Sequence, residues 1–458
     1  VLKMTKDNLK GKYDWACGEL GNLYFQKGKY DDALELILQS KNSADKSKDY
    51  LGVAKRNGQL GQILLDMGNI DEAHKVFNEQ MTYYEKNNIT IYMSDSLSDL
   101  GEINLRIGKL DESFDLFNKS YSIAKELDLK YPQSAALGNM GVLHLIRGKF
   151  EDAVSIFKEV LLIDTDIGDK KRISQSYCNI GISYKELREY DLALEYYSKQ
   201  LEICKTIGFK LGISKANNNF ATVYNKIGKF DKALDCLKIS KKINKDMGNQ
   251  GEIGNTHGSI AINNIEMGDF DEAFINLNKA YKIFDKIDDN RMCAMVNSYI
   301  VTMYLYKKEY TNALDYVNKS ISVFLELQDI PSLTKNLIYK VEALFLLDKL
   351  DESVREINSA AKYAKEINDK KLILKLKILN IKIEYAKNNG SNKQALDHIT
   401  DLLMKYKDAD DLADIHHLKY LIDQTCKSKE LALQLYQDLY NKIPRYKYID
   451  RIKFLSEE

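Results

Sequence analysis

Proline is nearly absent from this chain, with 3 in 458 residues. No Pro-rich or Ser/Gly-rich stretch reads as a linker, so a length that would ordinarily suggest about three domains offers nowhere to divide them. An excess of charge is also missing. The 67 Lys and Arg balance 67 Asp and Glu, which removes the long-range field that draws a protein to nucleic acid or to an acidic membrane. No run approaches the ~18 apolar residues that span a bilayer, and Val1 to Lys10 hold no apolar stretch of the signal-peptide kind. These absences point to a cytoplasmic protein with neither nucleic acid nor membrane as partner.

Reactive side chains are sparse as well. Cys17, Cys178, Cys204, Cys236, Cys293 and Cys426 contain no C-x-x-C pair, which excludes a redox or zinc-ribbon motif and fits reduced thiols packed as small apolar residues. The six histidines never form the i, i+4 pair with an intervening Glu that a zinc hydrolase needs. Adjacent His416 and His417 face different sides of a helix, as packing or surface residues do. Gly18-x-x-Gly21 lies inside a helical pattern, not in the strand-to-helix turn of a phosphate loop. The 29% of charged residues spread along helices read as solvated faces. The chain is therefore expected to be non-catalytic, with no metal and no cofactor.

What is present is a repeat. At a spacing of 40 residues one column reads Gly21, Gly61, Gly101, Gly141, Gly181, Ala221, Ala261, Val301, Val341. A second reads Gly28, Gly68, Gly108, Gly148, Arg188, Gly228, Gly268, Lys308, Asp348, and a third Ala33, Ala73, Ser113, Ala153, Ala193, Ala233, Ala273, Ala313, Ser353. Each column has a physical role. Tyr177, Ile180, Tyr184 and Leu187 recur at helical spacing and form an apolar stripe, beside which Gly181 lets a neighbouring helix approach closely. The Gly28 column ends the first helix of each unit in the left-handed conformation. Asp31 and its equivalents, such as Asp71, Asp111 and Asp231, put a carboxylate in the first turn of the second helix, where the macrodipole favours it. Gly168, Gly208 and Gly248 close second helices. A helix hairpin of this kind cannot bury its apolar face alone, so neighbours stack.

These residues resemble the tetratricopeptide repeat. Leu20-Gly21-Asn22-Leu23-Tyr24 followed by Gly28-Lys29-Tyr30-Asp31-Asp32-Ala33 looks like its signature, repeated as Ile180-Gly181-Ile182-Ser183-Tyr184 and Tyr190-Asp191-Leu192-Ala193. The six residues beyond the family's basic 34 amount to about 1.7 helical turns, so both helices should be longer. The longer spacing is similar to arrays of the Pins and kinesin light chain class and of bacterial maltose-activator-like or Rap-like regulators. The resemblance implies an all-α, right-handed α-solenoid of about 11 hairpins plus a terminal helix. Residues 1–8 align with the end of a preceding helix, as in an array excised from a longer protein with additional domains. Residues 9–368 form nine regular units, 369–441 two degenerate hairpins, and 442–458 a capping helix. In that last helix Ile449, Ile452 and Leu455 form an apolar stripe, beside which Lys447, Arg451 and Lys453 read either as a solvated basic side or as a membrane or nucleic-acid contact.

Function is expected on the first-helix face opposite the packing stripe, which lines the concave groove in arrays of this family. Its central column reads Glu19, Gln59, Asp99, Asn139, Asn179, Asn219, Ser259, Tyr299, Tyr339. The three asparagines make a ladder whose carboxamides, each with two donors and an acceptor, can hold the backbone of an extended peptide. Gln175, Lys215, Asn225 and Lys226 would surround it. Asp95 and Asp99 would favour basic side chains at one end, and Tyr299 and Tyr339 apolar ones at the other. Asp95 and Asp99 also occupy the columns where a carboxylate clamp would need cations. The sequence thus points to a protein- or peptide-binding scaffold or sensor segment of a signalling protein. The alternative is a regulatory domain, gated by a peptide or small metabolite, of an ATPase, kinase or transcription regulator.

Overall fold

Helices of 17 residues followed by three-residue turns, or of 18 followed by two-residue turns, run through all nine regular repeats, which accounts for the 40-residue period. The computed structural model describes residues 10–26, 29–367, 369–387 and 392–457, and the described residues contain no strand. The expected helix end at residues 1–8 lies outside them. The chain forms two compact halves, Val1–Phe209 and Lys210–Glu458. The N-terminal half holds five hairpins: α1 (Lys10–Gln26) with α2 (Tyr30–Lys46), α3 (Tyr50–Asp66) with α4 (Ile70–Lys86), α5 (Thr90–Arg106) with α6 (Leu110–Glu126), α7 (Lys130–Ile146) with α8 (Phe150–Ile167), and α9 (Lys170–Glu186) with α10 (Tyr190–Thr206). The C-terminal half continues with α11 (Lys210–Lys226) and α12 (Phe230–Met247), α13 (Gln250–Met267) and α14 (Phe270–Lys286), α15 (Asn290–Tyr306) and α16 (Tyr310–Glu326), α17 (Ile330–Leu346) and α18 (Leu350–Ile367). It ends with α19 (Lys370–Lys387), α20 (Asn392–Lys405), α21 (Ala409–Asp423), α22 (Cys426–Lys442) and α23 (Tyr446–Glu457).

Both helices of a repeat stop at a left-handed residue. After α3, Gly68 takes φ +84°, and the amides of Gly68 and Asn69 donate back to Leu65 and Leu64 carbonyls at 3.2 and 2.8 Å, which satisfies orphan acceptors of the last turn. Where the column lacks glycine the conformation persists: Arg188, Lys308 and Asp348 lie at φ +63°, +62° and +59°. Second helices behave alike, with Gly168 at +78° and Lys48 at +58°. Several first helices are then capped by Asp or Asn one residue later, as when Asp49 Oδ1 accepts from the Gly52 amide at 2.9 Å, and Asp169, Asn249, Asp289 and Asp329 repeat this, whereas Ile89 and Leu129 offer no side-chain cap.

Within each hairpin a small residue on the first helix faces a large one on the second, and the two sizes change together. A Cβ placed on Gly61, Gly101, Gly141 or Gly181 would lie 2.5–2.6 Å from the ring of Phe77, Phe117, Phe157 or Tyr197. In the C-terminal half the equivalent columns hold Ala221 and Ala261 with Leu237 and Leu277, then Val301 and Val341 with Val317 and Ile357, all buried. Glycine against an aromatic ring gives way to alanine or valine against an aliphatic side chain, so the filling of the space shifts from one helix toward both and the interior stays close-packed.

The last helices use the same packing with a different register. Leu374, Ile381, Ile399 and Ile415 form one buried cluster, while Tyr420, Tyr436, Tyr448 and Leu455 form another. The face α23 buries is rotated from the expected stripe: Tyr448 and Leu455 are buried, Ile452 is half-buried, and Ile449 remains 44% exposed. Its basic side is solvated only in part: Lys453 is exposed, whereas Lys447 Nζ reaches Asp414 Oδ2 at 2.9 Å and Asp410 Oδ1 at 3.7 Å.

Candidate functional site

On a first helix, positions four and seven apart share a face, and the structure shows what each predicted site residue does there. In the N-terminal half, Arg106 at the end of α5 donates to Asp66 of α3 at 3.0 Å, to Glu102 at 2.8 Å and to the Leu65 carbonyl at 2.8 Å. That cation neutralises two of the four acids on this face. Asp95 and Asp99 make no ion pair among the described residues, and burial raises both carboxyl pKa values. Asp99 stands well above the usual range, because Asp95 and Glu102 add like charge to the effect of burial.

The carboxamides follow on the same column. Asn139 and Asn179 are half-buried rather than exposed, and exposed Gln175 donates to Asn179 Oδ1 at 3.1 Å, one helical turn away. In the C-terminal half Asn219 is half-buried and Lys215 exposed. Asn225 is turned toward the next repeat: its Nδ2 donates to Asn263 Oδ1 at 3.1 Å, and buried Asn263 donates in turn to the Phe230 carbonyl at 3.3 Å. This side chain joins α11 to α13. Lys226 is exposed, and its carbonyl accepts from Arg445 at 3.5 Å.

Tyr299 and Tyr339 flank one cation, the Lys335 ammonium lying 5.9 and 5.7 Å from their ring centres, with Lys375 of α19 4.8 Å from Tyr339. Burial pushes the Tyr299 hydroxyl pKa up. Lys375 also reaches Glu342 at 2.8 Å. The aromatic end of the column is thus covered by later helices, and Tyr306, its hydroxyl pushed by burial up to about 12, meets Tyr446 at 6.0 Å between ring centres.

The structure therefore brings together Asp95 with Asp99, Gln175 with Asn179, and Tyr299 with Tyr339, and it draws Asn225 into a helix contact. Sequence reading missed Arg106 and Glu266, although both fall on one 40-residue column with Asp66 and Tyr306. Burial raises the Cys293 thiol pKa up to about 11, which makes that side chain a poor nucleophile. Among the described residues no group of side chains could hold a metal ion, and no helix is long and apolar enough to cross a membrane.

The family model for the Tetratricopeptide repeat matches residues 15–86, 92–166 and 172–246. Comparison with curated proteins returns no match. Among solved structures, the apo form of the quorum sensor NprR from B. thuringiensis is similar at 15% identity and a TM-score of 0.50, covering 75% of this chain and 98% of that one. The Rap conjugation gene regulator of the plasmid pLS20, solved in complex with a Phr peptide, is similar at 14% identity and a TM-score of 0.51, covering 69% of this chain and 96% of that one. At these identities the likeness concerns the fold.

Proposed function

We propose a binding function from the premise that the chain belongs to the tetratricopeptide-repeat family: it is a non-catalytic segment that takes an extended protein or peptide along the exposed face of its first helices. The observation that carries this reading is the state of Asp99. Asp99 is half-buried beside exposed Asp95 on this face, and neither makes an ion pair among the described residues, so a lysine or arginine of a ligand would find two uncompensated acids there. Asn139 and Asn179 in the N-terminal half, and Asn219 in the C-terminal half, supply sequence-independent donors and acceptors. A neighbour of this fold solved with a peptide is consistent with that ligand class. In a larger signalling protein such a segment acts as a scaffold or sensor. The second reading, a regulatory domain gated by a peptide or small metabolite, is favoured by the regulators among the structural neighbours.

Selection of a random peptide library on the immobilised chain tests this. Peptides rich in Lys and Arg are expected, and the double variant Asp95→Asn, Asp99→Asn should lose that preference. Replacing Asn139, Asn179 and Asn219 together by Ala should leave thermal stability nearly unchanged. Each neutral hydrogen bond contributes ~0.5–1.5 kcal/mol, so the selected peptide should bind one to three orders of magnitude more weakly. A library that shows no enrichment overturns the reading, and unchanged affinity in the triple variant reduces the asparagine ladder to composition.

A further inference from the structure

In the C-terminal half the end of the chain packs across its own repeats. After α22 the chain leaves helical geometry at Ile443, with φ −141° and ψ 101°, and residues 443–450 cross three consecutive hairpin turns. At the first turn Pro444 and Ile443 press on Gly228, where a Cβ would lie 2.8 Å from Pro444 Cδ. At the second, Tyr446 covers Gly268, where a Cβ would lie 2.5 Å from its ring, and meets Phe270 edge to face at 4.8 Å. At the third, Tyr446 lies 6.0 Å from Tyr306, and Asp450 pairs with Lys308 at 3.1 Å. Glycine at 228 and 268 is thus required for contact as well as for its left-handed backbone.

The docking of this segment carries costs. Arg445 reaches Glu266 only at 3.6 Å and the Lys226 carbonyl only at 3.5 Å, and its buried Nε has no hydrogen-bond partner. Burial and the nearby Arg451 together lower the pKa of the Lys382 ammonium, so docking α23 brings two cations close. His417 packs 5.5 Å from Phe454 of α23, its Nε2 buried without a partner. Burial and Arg451 bring its pKa down to about 3, keeping it neutral. Against these costs stand the buried rings of Tyr448 and Tyr436 and the Lys447–Asp414 pair.

We propose that residues 443–457 are a tethered occupant of a docking strip formed by Gly228, Glu266, Gly268, Phe270, Tyr306 and Lys308. A partner segment of the same chemistry, a cation followed by an aromatic ring and then an acid about four residues on, binds that strip by displacing the tail. The strip is separate from the asparagine column, so its failure leaves the peptide-binding reading of the first-helix face standing, and the reverse also holds.

The full-length chain and a fluorescein-labelled synthetic peptide of residues 443–457 test it. In the wild type, amide hydrogens of 446–457 should exchange at least tenfold faster than those of α21, as a tail that opens on its own requires. Exchange of both segments at one rate would make α23 part of the core and overturn the proposal. In the variant Arg445→Glu with Tyr446→Ala the labelled peptide should bind at least tenfold more tightly than to wild type, and adding Glu266→Arg should abolish the gain. Equal affinity for wild type and variant, or binding to neither, would equally overturn it. Because the exchange measurement uses the unaltered chain, a variant that misfolds does not remove the test.

Discussion

A single residue in the turn between hairpins illustrates how this chain trades local cost against periodicity. Left-handed backbone is expensive for a residue with a Cβ, ~1–2 kcal/mol, while glycine in the unfolded chain costs about 0.5–1 kcal/mol of entropy. Lys48 and Gly168 stand at equivalent helix ends, with φ +58° and +78°, and nothing lies within 4 Å of a Cβ at 168. Lys48→Gly should therefore stabilise the protein by about 0.5–1 kcal/mol and Gly168→Lys should destabilise it by a similar amount. Calorimetric melting of both variants checks this, and shifts of the same sign would refute it. Asp99 gives a second residue-scale prediction. Its carboxyl is raised in the folded state, so the folded protein binds that proton more tightly than the unfolded chain does, and this site loses stability as pH rises through its folded-state pKa. Asp99→Asn should raise the melting temperature at neutral pH, and the advantage should vanish once pH falls below the ordinary carboxylate range. A pH-independent difference between variant and parent would show that charge is not the cause.

At the scale of the element, the hairpin was legible because both of its signals are local. The 40-residue period sets helix length, the Gly68 column sets the stops, and the Gly61 column marks where the second helix comes closest. The pairing of Gly181 with Tyr197 and of Ala221 with Leu237 sits sixteen residues apart in one sequence, within reach of a reader who compares columns. It leads to a compensation test. Gly181→Ala should cost about 1–3 kcal/mol, since its Cβ would collide with Tyr197 at 2.5 Å. The double variant Gly181→Ala, Tyr197→Leu rebuilds the combination found at Ala221 and Leu237, and it should recover most of that loss in chemical denaturation. No recovery would mean that the two columns do not set each other's size. The N-caps at Asp49 and Asp169 were equally local and were overlooked. The terminal helix was less readable for a physical reason. Its apolar stripe counted Ile449, but the face is chosen by Tyr448 against Tyr436 and by Lys447 against Asp414, partners more than ten and more than thirty residues away. Arg445 meets Lys226 across 219 residues of chain, and no periodicity records such a contact.

For the whole molecule, the difference between the halves is one of connectivity. In the N-terminal half, helix contacts run between neighbours in the chain or between successive first helices, so stability is a sum of local terms that are lost piecemeal. The C-terminal half has the same stacking and, in addition, a tail that joins the turns at Gly228, Gly268 and Lys308 to α21, which ties four distant points to one event. Cooperativity should therefore be higher in the C-terminal half. The single tryptophan makes this measurable. Trp15 lies in α1 and is 61% exposed, so its fluorescence anisotropy reports the N-terminal half alone, whereas far-ultraviolet dichroism reports every helix. In urea, the anisotropy change is expected at lower concentration and over a broader range than the later part of the helical signal, which should fall steeply. Hydrogen exchange followed through the same titration should place the steep step in residues 210–458. Coincident curves from both probes would instead make the chain a two-state folder, and the connectivity introduced by the tail would then have no bearing on how the molecule comes apart.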